Sequence, residues 1–142
     1  VQVVCPACLA TNRIEADPPH DSSPCSACGA ALFPAEPFAL TDAGFDAFLA
    51  NDGLPLVVEF WSEDCGACRA MAAAFREVAR AKRTAARFAT LDVEAHPRTA
   101  FRAHIRTVPT LVLFRQGAEA ARNVSDGNAR AIEAWLARQG VH

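Results

Sequence analysis

All six cysteines of this 142-residue chain fall into three C-x-x-C pairs, Cys5/Cys8, Cys25/Cys28 and Cys65/Cys68. Six cysteines can staple a small secreted scaffold, but pairing at this spacing points to metal binding or dithiol redox chemistry in a reducing compartment. The first two pairs, Cys5-Pro-Ala-Cys8 and Cys25-Ser-Ala-Cys28, are separated by sixteen residues. C-x2-C-x16-C-x2-C is the spacing of a zinc ribbon, in which each short turn offers two thiolates to one tetrahedral ion. Gly29 suits the tight turn after the second pair. Iron in the same tetrahedron and a pair of disulfides are the alternatives. His20 lies between the pairs and offers a substitute ligand, but four cysteines already fill the coordination sphere, so it reads as an exposed loop residue.

Cys65-Gly-Ala-Cys68 stands in a different context. An apolar run, Leu56 to Trp61, precedes it and a helical period follows, so the pair lies where a buried strand ends and a helix begins. There the helix N–H groups and macrodipole stabilise a thiolate on Cys65, while Cys68, one turn on, is within reach to close a disulfide. Cys65 is therefore read as nucleophile and Cys68 as resolving thiol. The competing reading is two reduced helix-cap cysteines with no chemistry. Trp61 is placed to wall the site. In Thr107-Val108-Pro109-Thr110 a proline directly precedes a strand, which suits a cis peptide that presents backbone groups to a bound chain. Glu59 lies inside the apolar run. If it points inward, its pKa is raised and it can exchange a proton with a thiol; if outward, it pairs with an arginine.

The elements that position these residues follow from periodicity. Phe38 to Leu40 reads as a short strand, and Thr41 caps a helix carrying Phe45, Phe48 and Leu49. Asn51-Asp52-Gly53 is a turn, and Leu56 to Trp61 a central strand. A long helix runs from Cys68 to about Lys82, with Met71, Phe75, Val78 and Ala79 on one face. Phe88 to Val93 is a second central strand, Pro97 to Phe101 a short helix, and Thr110 to Phe114 a third central strand. Gln116-Gly117 turns it into a hairpin with Ala120 to Val124, and Gly127 to Gln139 is a closing helix burying Ile132, Trp135 and Leu136. This order predicts an α/β fold with helices on both faces of a mixed sheet.

The first forty residues differ. They carry one basic and four acidic residues, a net charge of −3, against thirteen basic and twelve acidic, a net of +1, in the remainder. They hold six of the nine prolines and four of the six cysteines, and show no helix or strand period. So little apolar material needs a staple to fold, which one structural Zn2+ supplies. Pro34-Ala-Glu-Pro37 reads as a stiff connector, dividing a metal module at residues 1–36 from a second domain at 37–142. The overall charge of −2 and the thiolates of the ribbon argue against nucleic acid as a partner, and no apolar run is long enough to span a membrane. The N-terminal residues lack the continuous apolar stretch of a secretory signal, and a cytoplasmic location is expected. His96, His104 and His142 have no partner pattern and read as surface residues.

Residues 38–142 resemble the thioredoxin family. The matching stretches are Val57-Val-Glu-Phe-Trp-Ser-Glu-Asp-Cys-Gly-Ala-Cys68, Phe88-Ala-Thr-Leu-Asp-Val-Glu94 and Arg106-Thr-Val-Pro-Thr-Leu-Val-Leu-Phe114. The resemblance implies a thioredoxin fold with Pro109 cis and facing a redox-active Cys65–Cys68 disulfide, and Val108, Pro109, Trp61 and Ser125 around bound substrate. It implies reduction of oxidised protein substrates through a mixed disulfide on Cys65. Cys5-Pro-Ala-Cys-Leu-Ala-Thr-Asn-Arg-Ile14 and Cys25-Ser-Ala-Cys28 followed by Leu32-Phe33 extend the likeness to the zinc-containing bacterial thioredoxin 2 subclass. That subclass implies a cytoplasmic electron carrier in cell redox homeostasis and oxidative stress, recharged by an NADPH-dependent thioredoxin reductase; a monomer is the default expectation.

The active-site region departs from the family pattern. Glu63-Asp64 replaces the usual residues before the nucleophile, where a Trp is common. Ala67 replaces a Pro, Glu59 a buried Asp, Thr90 a frequent Lys, and Ser125 a Gly of the substrate groove. A carboxylate at Asp64, roughly 4–6 Å from the thiolate, disfavours it by about 1 kcal/mol. Helix-end effects return about 0.3–1 kcal/mol, so Cys65 is expected to be less acidic than in typical members. The altered residues between the cysteines also shift the redox potential, which keeps an oxidase or isomerase direction open. Two readings of other classes stand beside the reductase: a thiol-regulated chaperone or adaptor that holds clients, and a sensor that releases zinc when the ribbon thiolates oxidise.

Overall fold

The computed structural model describes residues 1–15, 23–123 and 127–142. Eleven elements follow one another among the described residues: β1 (Gln2–Val4), β2 (Thr11–Arg13), β3 (Phe38–Ala39), α1 (Asp42–Asn51), β4 (Leu56–Trp61), α2 (Gly66–Lys82), β5 (Arg87–Asp92), α3 (Pro97–Arg102), β6 (Thr110–Arg115), β7 (Ala118–Asn123) and α4 (Ala129–Arg138). From β3 onward the order is the one expected from periodicity, with ends moved by one or two residues. Frayed ends and caps account for those shifts. Thr41 caps α1 by accepting from the Gly44 N–H at 3.0 Å, and Asn128 caps α4 by accepting from the Ala131 N–H at 2.9 Å.

One expectation is corrected. The N-terminal segment is not devoid of strands: β1 and β2 pair antiparallel, Val3 opposite Asn12. Each strand has three residues, too short for a period of two to register in the sequence. The last strand of the chain also begins earlier than expected, at Ala118, and Val124 lies outside the described residues. The Gln116-Gly117 turn fits its strands because both residues have positive φ, 52° and 79°, the twist that two-residue hairpin turns require.

The main sheet has the order β3-β5-β4-β6-β7. β3, β5 and β4 run parallel, while β6 and β7 are antiparallel to their neighbours. β4 is the centre of five strands, which explains its almost unbroken apolar sequence. Alternation sends Leu56, Val58 and Phe60 toward Phe45, Phe48 and Leu91 on the α1 side, and Val57 toward Met71, Phe75, Val78 and Trp135 on the α2 and α4 side. Glu59 shares the parity of Val57, so β4 directs it under α2.

The ribbon segment is fastened to this sheet by a buried ion pair. Arg87, first residue of β5, is 1% exposed and stacks on Phe33 from the N-terminal segment at 4.7 Å. Its Nε lies 3.2 Å from Asp52 Oδ2, and its Nη2 donates to the Val4 carbonyl at 2.9 Å. Asp52 Oδ2 in turn accepts from the Val4 N–H at 2.9 Å. The two charges thus satisfy both peptide groups of the residue next to Cys5. Burial pushes the Asp52 carboxyl upward against the opposing pull of Arg87. Glu36, in the connector, pairs with Arg76 at 3.3 Å and with Arg80, both on α2.

Candidate redox site and four-cysteine cluster

β4 delivers the chain to Cys65, which is the N-cap of α2 in extended backbone conformation (φ −113°, ψ 106°). Its sulfur accepts from the Cys68 N–H at 3.1 Å, so the sulfur faces unsatisfied helix donors. Cys65 and Cys68 are joined as a disulfide, with S–S 2.29 Å. Cys65 is partly exposed, whereas Cys68 is 3% exposed. An outside sulfur therefore meets Cys65 before Cys68.

The Val108–Pro109 peptide is cis, as the sequence led us to expect. It sets the Val108 carbonyl oxygen 3.7 Å from Cys65 Sγ. Pro109 is buried and Val108 half-buried. Thr110 Oγ1 donates to the Thr107 carbonyl at 2.6 Å, closing the turn on itself. Ser125 lies outside the described residues.

Glu59 points inward. It is 1% exposed, and its Oε2 has no hydrogen-bond partner among the described residues. Burial pushes its carboxyl up to about 7, against a smaller downward pull from Arg76. A cavity of about 500 Å³ is shared by Glu59, Thr90, Trp61, Ala72 and Cys68. Thr90 pairs with Glu59 across β4 and β5, and Ala72 is smaller still, so both leave space beside the acid. Trp61 is half-buried and walls this cavity.

The raised carboxyl makes a stability prediction with a definite sign. Between about pH 4.5 and 7 the folded protein holds a proton on Glu59 that the unfolded chain has released, so stability falls as pH rises through that window. Glu59→Gln removes this penalty. The oxidised variant is expected to match the parent in urea unfolding at pH 4 and to exceed it by about 3 kcal/mol at pH 9. Equal stability at both pH values would show that the acid is not desolvated.

The other four cysteines converge. Their sulfurs all lie within 4.8 Å of one another, with Cys5 and Cys8 each 3.7 Å from a sulfur of the second pair, Cys28 and Cys25 respectively. A tetrahedral ion with metal–sulfur bonds of about 2.3 Å has sulfur–sulfur edges of about 3.8 Å, so this donor set fits zinc. The two turns are built alike. The Ala7 and Ala27 N–H groups donate to Cys5 Sγ and Cys25 Sγ, each at 3.4 Å, and Leu9 and Gly29 occupy matching left-handed positions (φ 65° and 80°). Gly29 adopts that conformation freely; Leu9 does so without glycine's freedom.

Of the remaining histidines, His104 and His142 are exposed as expected, while His96 is half-buried with Nδ1 4.0 Å from Asp42. His20 lies outside the described residues. Arg87, Asp52 and Asn12 went unnoticed in the sequence. Asp52 read as a turn residue, and nothing separates a buried arginine at a strand end from an exposed one.

A strand, an N-cap cysteine joined to its helical partner and a facing cis-proline together match a known architecture. Residues 36–138 fit the family model described as Thioredoxin. The chain belongs to the thioredoxin family. Thioredoxin C-3 of Corynebacterium nephridii is 35% identical over 137 residues, covering 96% of this chain and 94% of the relative. A bifunctional thioredoxin reductase/thioredoxin of Mycobacterium leprae is 34% identical over 85 residues, covering 60% of this chain and 19% of that protein. Among solved structures, a mutant thioredoxin from Halobacterium salinarum NRC-1 superposes with a TM-score of 0.66 at 24% identity, over 74% of this chain and 91% of that one, a likeness of fold. Family membership and the Cys65–Cys68 pair make the chain a thiol-disulfide oxidoreductase of the protein-disulfide reductase type.

Proposed function

We propose that the protein reduces disulfides of oxidised proteins by dithiol exchange at Cys65 and Cys68. The pairing of a partly exposed N-cap sulfur with a buried partner carries this reading. The Cys65 thiolate attacks one sulfur of the target disulfide; that bond breaks, a mixed disulfide forms on Cys65, and the other target sulfur leaves as a thiolate. Cys68 then loses its proton to the Glu59 carboxylate and attacks Cys65 Sγ, releasing the second target thiolate. The chain's dithiol is oxidised by two electrons and the target is reduced by two. The Val108 and Pro109 backbone and Trp61 form the substrate-facing surface in this reading.

The oxidised form must be recharged by a two-electron donor. The fusion of a thioredoxin reductase to a thioredoxin in the Mycobacterium leprae relative supports an NADPH-dependent thioredoxin reductase in that role. Cys5, Cys8, Cys25 and Cys28 hold one structural Zn2+, which when bound cross-links the two halves of a module spanning residues 1–36, ahead of the redox domain at 37–142. A zinc module ahead of the redox domain supports the thioredoxin 2 subclass, and with it a cytoplasmic monomer serving redox homeostasis under oxidative stress. Among the described residues no helix is long and apolar enough to cross a membrane.

Two measurements test these statements. The dithiothreitol-reduced protein is expected to precipitate insulin chains well above the rate of dithiothreitol alone. Rates equal to that background would remove the reductase and favour a client-holding adaptor. Elemental analysis is expected to find one zinc per chain, lost together with the four ribbon thiols when these are alkylated. Iron, or no metal with two ribbon disulfides, would overturn the zinc assignment.

A further inference from the structure

The two cysteine turns of the ribbon are distant in sequence, and each satisfies its own backbone: Cys5 N–H to the Ala10 carbonyl at 2.8 Å, Cys25 N–H to the Ala30 carbonyl at 2.7 Å. Besides the sulfurs themselves, a side-chain amide bridges them. Asn12, the middle residue of β2, is 7% exposed. Its Nδ2 donates to the Ala10 carbonyl at 3.3 Å and to Cys25 Sγ at 3.5 Å. Its Oδ1 accepts from the Ser26 N–H at 2.9 Å and from the Ser26 hydroxyl at 3.0 Å. Every polar face of the amide is used, and turning it over would set its oxygen against a carbonyl and a sulfur. Among the described residues, the side-chain N–H that reaches a cluster sulfur comes from Asn12.

We propose that Asn12 is the positioning residue of the four-cysteine centre. Through Oδ1 it holds the Cys25 turn in register with the Cys5 turn; through Nδ2 it donates a hydrogen bond that makes Cys25 the least reactive thiolate of the metal-loaded site. The proposal rests on the metal reading of the cluster. A thiolate whose lone pair is engaged by an N–H is a poorer nucleophile, and the partners that orient metal ligands typically change metal affinity about 10–100-fold when removed. Cys8 and Cys28 are exposed and lack that side-chain amide, so attack by an alkylating agent begins with them.

Two substitutions separate the roles. Asn12→Asp keeps an acceptor for Ser26 and loses the N–H toward Cys25; Asn12→Leu loses both. With the zinc-loaded full chain, iodoacetamide is expected to release zinc at least about tenfold faster from Asn12→Asp than from the parent. Mass spectrometry is expected to show Cys25 moving forward from last place in the order of alkylation. In the cobalt(II)-loaded chain the sulfur-to-cobalt absorption bands are expected to shift, which loss of packing alone would not cause. Unchanged release, order and bands in both variants would overturn the proposal.

If the variants do not fold, the parent decides. Loaded with cadmium-113, it is expected to show scalar coupling from the metal to an Asn12 Nδ2 proton as well as to the Ala27 N–H. Coupling to Ala27 without Asn12 would overturn the proposal while leaving the metal site intact. Failure to bind cadmium at all would overturn the metal reading and the proposal with it.

Discussion

Cys68→Ser protein, reduced and mixed with a disulfide-bearing target, is expected to accumulate a covalent complex through Cys65, whereas Cys65→Ser is expected to form none. Both variants should lose turnover of insulin disulfides to the dithiothreitol background, a drop of about a thousandfold or more for removal of a nucleophile. The two failures differ because the sulfurs differ in access. Cys65 is partly exposed and faces the Val108 carbonyl, whereas Cys68, in the first turn of α2, is 3% exposed. A target can therefore reach Cys65 alone, and the trapped species persists when no sulfur stands behind it. Non-reducing electrophoresis distinguishes the cases directly. A covalent complex with Cys65→Ser, or none with Cys68→Ser, would reverse the assignment.

The largest loss of stability is expected from the joint between the ribbon and the sheet. Arg87→Met leaves the Asp52 carboxylate, whose side chain is 0% exposed, without its cation, and should cost about 3–5 kcal/mol in urea unfolding. Asp52→Leu alone should cost as much, by stranding the guanidinium. The double variant is the informative one. Replacing both members of a buried ion pair by apolar groups is often near neutral. Here the pair also serves the N–H and carbonyl of Val4, and each buried peptide group left bare costs about 1–3 kcal/mol. The double variant should therefore lie below the parent but well above the sum of the singles. Full additivity would mean that the two charges act independently of each other.

The elements that carry the redox chemistry were legible because their signals are dense. β4 is apolar over six residues but for Glu59, and it ends shortly before a C-x-x-C pair that opens a strongly amphipathic helix, so element, boundary and chemistry reinforce one another. The parity of Glu59 with Val57 then decides the direction of the acid, a fact that exists only once the register is known. The N-terminal segment was legible as a cluster of cysteines and not as a fold. β1 and β2 are three residues each, and their order comes from the sulfurs and from contacts with the sheet. Asp52 and Arg87 are far apart in the chain and meet only through the parallel pairing of β4 and β5. Asn12 lies in Thr-Asn-Arg, polar residues indistinguishable from an exposed turn until the Cys25 loop closes over them.

Because the nucleophile is also the N-cap of α2, each turnover changes what anchors the start of that helix. A disulfide sulfur is a weak acceptor for the Cys68 N–H; a thiolate in the same place is a strong one. Oxidation therefore closes the first turn with a covalent bond between residues 65 and 68, and reduction replaces that bond with a charge-assisted hydrogen bond, so what holds this one turn follows the electron count of the protein. A partner that discriminates the charged from the spent carrier need not sense the sulfurs themselves: the stiffness of residues 65–68, cross-linked in one form and not in the other, already carries that information.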